Sequence, residues 1–328
     1  MENNHRILFA IRNPTATQQP GLAKAIQVAR ASGAKLDLFH ALNDPLFIEL
    51  TQFGDSSVDR LRERVEEEVR IPLARLCKVA HKHGVEAQSS VEWDYPPHEA
   101  IVRRALKIGA DLIIAECHKG GRTRPWLIHL TDWELLRLSP VPVLLLKNAK
   151  AYRRPLTLAA VDPAHAHAKP SKLDARILAA AAQLSKGLRG TLHIVHANYP
   201  SIVGLKPRTD RAWSTLSYEE LQKQESESFE MFRANAAIPR TRAHLVEGNP
   251  SREIPRVADK LGAAIVVMGA LSRSGLERLF IGNTAERVLG ALNCDVLVVK
   301  PEGVSPHLAL EERGMRVMAP ASLGSQVL

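Results

Sequence analysis

The sequence predicts an α/β protein made of two successive doubly wound domains, each a five-stranded, mostly parallel sheet with helices on both faces. Three observations predict it. The chain repeats itself, its apolar runs have the length of buried strands, and the segments between those runs carry apolar residues at helical spacing.

The repeat comes first because it sets the architecture. Ile108-Gly109-Ala110-Asp111-Leu112-Ile113-Ile114 returns 153 positions later as Leu261-Gly262-Ala263-Ala264-Ile265-Val266-Val267. Pro142-Val143-Leu144-Leu145-Leu146-Lys147 returns at the same offset of 153 as Asp295-Val296-Leu297-Val298-Val299-Lys300. Nearer the start of each half, the run 7–11 followed by Asn13-Pro14 resembles the run 156–161 followed by Asp162-Pro163, at an offset of 149.

Within the first half, the short apolar runs 7–11, 36–39, 111–115 and 141–146 suit strands covered on both faces, as in a parallel sheet. His81-Lys82-His83-Gly84 reads as the basic end of a helix with a glycine stop. In the second half, Leu173, Ile177, Leu178, Ala181 and Leu184 fall on one helical face, as do Ile254, Val257, Ala258 and Leu261. The expected domains are 1–150 and 151–302, with a linker around 148–155 and a flexible tail over 303–328 that is rich in Gly, Pro and Ser.

Composition narrows the function classes. A length of 328 residues, 45% hydrophobic and 24% charged, suits two globular cores. The apolar runs fall far short of the ~18 residues a membrane-spanning helix needs. MENNHRILFAIRNP has no basic stretch followed by a long apolar region, so the expected compartment is the cytoplasm. Cys77, Cys117 and Cys294 form no CxxC pair, which leaves free thiols rather than a disulfide framework or a zinc knuckle. The net charge of +9 is dispersed among acidic residues, and aromatics make up only 5%, so no dedicated nucleic-acid site is expected.

The stretch 248–301, GNPSREIPRVADKLGAAIVVMGALSRSGLERLFIGNTAERVLGALNCDVLVVKP, resembles the universal stress protein family. The signature of that family is a glycine at a strand end, two residues, a glycine, nine residues, and a glycine followed by Ser or Thr. Here the pattern is Gly269, two residues, Ser272, nine residues, then Gly282, Asn283 and Thr284. Because the first half repeats the second, the resemblance covers nearly the whole chain and points to the tandem branch like universal stress protein E. It implies a Rossmann-like domain of the adenine nucleotide alpha hydrolase type, placed twice. It also implies an adenine nucleotide (ATP, ADP or AMP, with Mg²⁺) in the second half. Asp162 would contact the nucleoside, and Ala197 would lie against the base. Gly269, Ser272, Gly275, Gly282, Asn283 and Thr284 would form the phosphate loop.

Each assignment has a plainer alternative. Asn283-Thr284-Ala285-Glu286 also reads as a helix cap with Glu at the third helical position, which competes with phosphate for the same free amides. Asp162 before Pro163 is equally a turn residue. Ser272 gives up part of the backbone freedom of glycine, while its hydroxyl can donate to a phosphate oxygen. In the first half the 153 offset sets Glu116 against Gly269, Lys119 against Ser272 and His129 against Gly282, and the 149 offset sets Asn13 against Asp162. That half is expected to bind no nucleotide.

His165-Ala166-His167 offers two imidazoles on one face and lacks a third ligand, so no metal is assigned. No nucleophile, base and oxyanion hole converge at informative spacing, so the expected role is non-enzymatic. Two other classes stay open: a nucleotide-free scaffold joined through the strands 141–146 and 296–299, and a weak ATP hydrolase. The protein partners are not specified, and a homodimer or an intramolecular pseudo-dimer fits the repeat.

Overall fold

The computed structural model describes residues 5–43, 46–47, 55–117, 130–164, 172–198, 218–270, 283–303, 308–315 and 317–318. They fall into two compact units. The first comprises 1–116, 129–141 and 306–328, and the second comprises 117–128 and 142–305.

In the first unit, strands β1 (Arg6–Ala10), β2 (Lys35–Leu42), β4 (Ala87–Trp93) and β5 (Leu112–Glu116) run parallel in the order β4-β2-β1-β5. A two-residue β3 (Leu46–Phe47) stands apart. The helices are α1 (Pro20–Ser32), α2 (Asp55–Lys82), α3 (Pro97–Ile108) and α4 (Leu130–Leu138). In the second unit, β7 (Leu156–Ala160), β8 (Thr191–Asn198), β9 (Ala243–Glu247), β10 (Ile265–Gly269) and β11 (Asp295–Val299) are parallel, in the order β9-β8-β7-β10-β11. Its helices are α5 (Leu173–Gly187), α6 (Tyr218–Asn235), α7 (Pro250–Leu261) and α8 (Asn283–Ala291). β6 (Val143–Leu146), from the first repeat, pairs antiparallel with β11, Leu144 opposite Leu297. Both strands lie in the second compact unit, so this pairing is internal to it.

Local chemistry explains where the elements begin and end. Proline opens α1, α3 and α7, where the missing N–H costs nothing. Gly109 and Gly262, equivalent in the repeat, close α3 and α7 in the left-handed conformation at φ 63° and 64°. Leu8, Phe9, Ile113 and Ile114 in one unit, and Leu158, Ile265, Val266 and Val267 in the other, are fully buried, as strands covered on both faces require. Cys77 and Cys294 are buried and Cys117 is half-buried, all as free thiols.

Two expectations change. The ladder pairs Ile7 with Leu112 in one unit and Thr157 with Ile265 in the other. Since Leu112 and Ile265 are 153 apart, β1 and β7 are offset by 150 rather than 149, and Arg12, not Asn13, stands at the place of Asp162. The tail also differs. Residues 308–315 do not hang free but lie against the first unit, where Arg313 N donates to Asp94 Oδ1 at 3.0 Å. Beyond them β12 (Val317–Met318) pairs with β3.

Candidate functional site

In the second unit the chain winds outward from β7 to β8 and β9, then crosses back to β10 and β11. The strand order therefore reverses between β7 and β10. A crevice outside the carboxyl ends of the strands opens at such a point. Two residues named from the sequence flank it. Gly269 ends β10, and the register that sets Val267 against Ala159 brings it level with Val161, beside Asp162. A Cβ on Gly269 would come within 2.7 Å of Leu173 Cδ2, so the glycine lets Leu173 of α5 pack directly on the strand end.

Asp162 is held from below. Its amide donates to Asp174 Oδ1 at 3.1 Å, and Asp174 sits buried in the first turn of α5. Next to it, the Nδ1 of His196 lies 3.1 Å from Val161 O. A carbonyl only accepts, so that nitrogen carries the proton, and the peptide leading into Asp162 is fixed by it. His196 is 4% exposed, lies 4.0 Å from Asp162 Oδ1, and turns Nε2 to Glu225 Oε2 of α6 at 3.6 Å. Phe229 stacks on the imidazole at 5.9 Å between ring centroids. The sequence alone sets His196, with His40 and His193, at or near strand ends close to where a ligand would sit, and gives it no role. Its signal was available, because His40 holds the same place in the first repeat and contacts Ile11 O at 2.8 Å.

Ala197 is buried at the end of β8, on the opposite face of the strand from His196. α8 begins at Asn283, and Thr284 is exposed in its first turn. A helix N-terminus is the kind of place an anion uses. Ser272, Gly275 and Gly282 lie outside the described residues, as do His165 and His167. Among the described residues, no three His, Cys, Asp or Glu side chains are grouped to hold a metal ion, and no helix is long and apolar enough to cross a membrane.

The first unit has the same topology with different chemistry. At its reversal point, between β1 and β5, Arg12 and Glu116 stand where Asp162 and Gly269 stand in the second. Glu116 Oε1 accepts the amide of Gly21, in the first turn of α1, at 3.0 Å. A carboxylate of the chain itself occupies an amide an incoming anion would use.

Two doubly wound units, of which one keeps an acidic residue and a glycine on either side of its reversal point, define a tandem α/β protein. The sequence profile of the Universal stress protein family matches residues 3–147 and 158–300. The chain belongs to the universal stress protein family and carries two of its domains in tandem. It is 26% identical to Universal stress protein E of Escherichia coli (strain K12) over 306 residues, 93% of this chain and 97% of that protein. It is 24% identical to the Universal stress protein E homolog of Haemophilus influenzae over 300 residues, 90% and 97% of the two chains. A functionally unknown protein from Pseudomonas aeruginosa PAO1 has a similar solved structure, with 26% identity, coverage of 92% and 94%, and a TM-score of 0.68. A universal stress protein from Archaeoglobus fulgidus DSM 4304, at 18% identity, coverage of 91% and 99%, and a TM-score of 0.63, shares the fold.

Proposed function

We propose that the protein is a cytoplasmic, non-enzymatic stress-response or signalling protein that binds one adenine nucleotide per chain, ATP, ADP or AMP, in its second half. The asymmetry of the two reversal points supports this most. In the second unit a carboxylate, Asp162, and a glycine, Gly269, stand at the reversal point, whereas in the first Glu116 already sits on the Gly21 amide. Asp162 takes a ribose hydroxyl, the loop from Gly269 to Thr284 takes the phosphates, and Ala197 lies against the base. Mg²⁺ accompanies ATP, drawing its oxygen ligands mainly from phosphate and water.

Mass spectrometry of ligand released from purified protein, followed by calorimetric titration with ATP and Mg²⁺, tests the reading. One site per chain is expected, with affinity about tenfold weaker in Asp162→Ala and weaker still in Gly282→Val, a loss of roughly 1.4 kcal/mol or more. Absence of both released nucleotide and binding heat would leave the nucleotide-free scaffold. Phosphate release that is lost in Asp162→Ala would make the protein a hydrolase instead.

A further inference from the structure

Asp94, at the end of β4, and Arg103, on α3, form a buried two-pronged ion pair. Arg103 Nε lies 2.6 Å from Oδ2 and Nη2 lies 2.7 Å from Oδ1, with Asp94 0% and Arg103 4% exposed. The pair has hydrogen-bonding capacity left over, and the carboxyl-terminal segment uses it. Arg103 Nη1 donates to Ala309 O at 3.2 Å, and Asp94 Oδ1 accepts from Arg313 N at 3.0 Å. One ion pair thus grips a carbonyl and an amide four residues apart, both main-chain groups that any extended segment offers.

Side chains add selectivity. The Arg313 guanidinium lies 2.8 Å from Glu99 Oε2 and 5.8 Å from the centroid of the Tyr95 ring, an arrangement of ion pair and cation–π contact. Glu312 pairs with Lys107 at 2.8 Å. Further on, β12 adds a short parallel strand to β3, as in recognition by strand addition.

The two sides of this contact differ in kind. Asp94 and Arg103 are buried and hold each other directly. Residues 309–313 are exposed, Leu310 at 67%, so the segment is held by polar contacts at the surface, which salt weakens. The second repeat lacks the clamp. The ladder sets Gly248 at the place of Asp94, its amide donating to Asn198 O as that of Asp94 donates to Leu42 O, and a glycine has no carboxylate to offer; Arg256, at the place of Arg103, is exposed and pairs with Glu253 in its own helix. The clamp belongs to the unit in which Glu116 fills the anion position.

We propose that the first unit is a peptide-docking module. Its resident ligand is the chain's own residues 308–315 and 317–318, which yield to an extended partner segment carrying an acidic residue followed by arginine. This does not depend on nucleotide binding in the second half.

The test uses the full chain and its Glu312→Lys/Arg313→Glu double variant, whose changes sit on exposed positions, with a labelled synthetic peptide of residues 306–320 as the probe. In the wild type the Arg313 amide is expected to exchange hydrogen more slowly than in the free peptide and faster than the amides of β1. In the variant it should reach the free-peptide rate, and the probe should bind at least about tenfold tighter, because the tethered copy no longer competes at an effective concentration on the order of 1 mM. Molar salt should reverse that binding. Three results would overturn the proposal: exchange at the free-peptide rate in the wild type, exchange as slow as β1, or equal binding of a probe with the Glu312 and Arg313 charges reversed.

Discussion

Glu116 and Gly21, 95 residues apart in sequence, meet where the carboxylate accepts the first-turn amide of α1 at 3.0 Å. The contact leaves no room for a side chain, since a Cβ on Gly21 would come within 2.8 Å of both Cγ and Cδ of Glu116. Gly21→Ala is therefore expected to push the flexible Glu116 side chain aside and to cost about 0.5–1.5 kcal/mol, the worth of the hydrogen bond given up. In the Glu116→Ala background the same change should cost much less in urea unfolding, the signature of coupled neighbours. An equal cost in both backgrounds would show that the carboxylate does not constrain the glycine.

Tyr152 and Asp295 pose a second case. Asp295 is fully buried at the start of β11, and Tyr152 Oη donates to its Oδ2 at 2.6 Å while Lys147 N donates to Oδ1 at 2.8 Å. Tyr152→Phe strips one donor from a buried carboxylate and should cost about 1–3 kcal/mol. Burial, then the neighbouring carboxylate, pushes the Tyr152 hydroxyl well above its ordinary range. A raised value means that stability is intact below the unfolded value near pH 10 and falls as pH rises past it. Denaturation curves from pH 7 to 11 should show that fall in the wild type and a smaller one in Tyr152→Phe.

Much of this was legible in the sequence, for physical reasons that particular residues illustrate. Gly109 and Gly262 signal helix ends because a left-handed residue after a helix favours glycine, and both occupy that conformation. The offset of β1 was not legible to the residue. Asn13-Pro14 looks like Asp162-Pro163, and only the ladder shows that Arg12 is the equivalent. The docked tail was invisible because Ala309 and Arg313 find their partners on Asp94 and Arg103, more than 200 positions away. His196 reads only as a histidine near a strand end, close to where a ligand would sit, and its partners Glu225 and Phe229 come from α6, which the sequence does not bring to it.

His193 and His244, on adjacent strands of the second unit, stack at 5.2 Å with Nδ1 and Nε2 at 2.9 Å. Burial lowers both, and each is pressed further by positive neighbours, His244 and Arg242 for His193 and Lys260 for His244. One ring must donate and the other accept, so charging both breaks the contact. A lowered value places the stabilisation above the ordinary histidine range, to be lost as pH falls below about 6.5. Imidazole titrations by NMR should show both groups below that value, with the amides of β8 and β9 exchanging faster at pH 5 than at pH 7. Replacing His244 by Gln should raise the His193 value, and an unchanged value would mean that the pair is not coupled.

Lys300, just past β11, is 0% exposed, and burial lowers its ammonium to about 8. Between that value and the unfolded one near 10.4, the unfolded chain holds a proton that the folded chain has released, so stability attributable to this residue rises with pH across the window. Below pH 8 both states are charged, and burial of the ammonium weighs against the folded state. Lys300→Met removes the titration while keeping most of the side-chain volume. Unfolding free energies at pH 7.5, 8.5 and 9.5 should therefore show the wild type gaining on the variant as pH rises, by up to about 1.4 kcal/mol per unit at the steepest. The alkaline fall linked to Tyr152 is common to both proteins and cancels in the difference. A difference independent of pH would mean that Lys300 stays charged in the folded state, its ammonium satisfied by hydrogen bonds strong enough to offset burial.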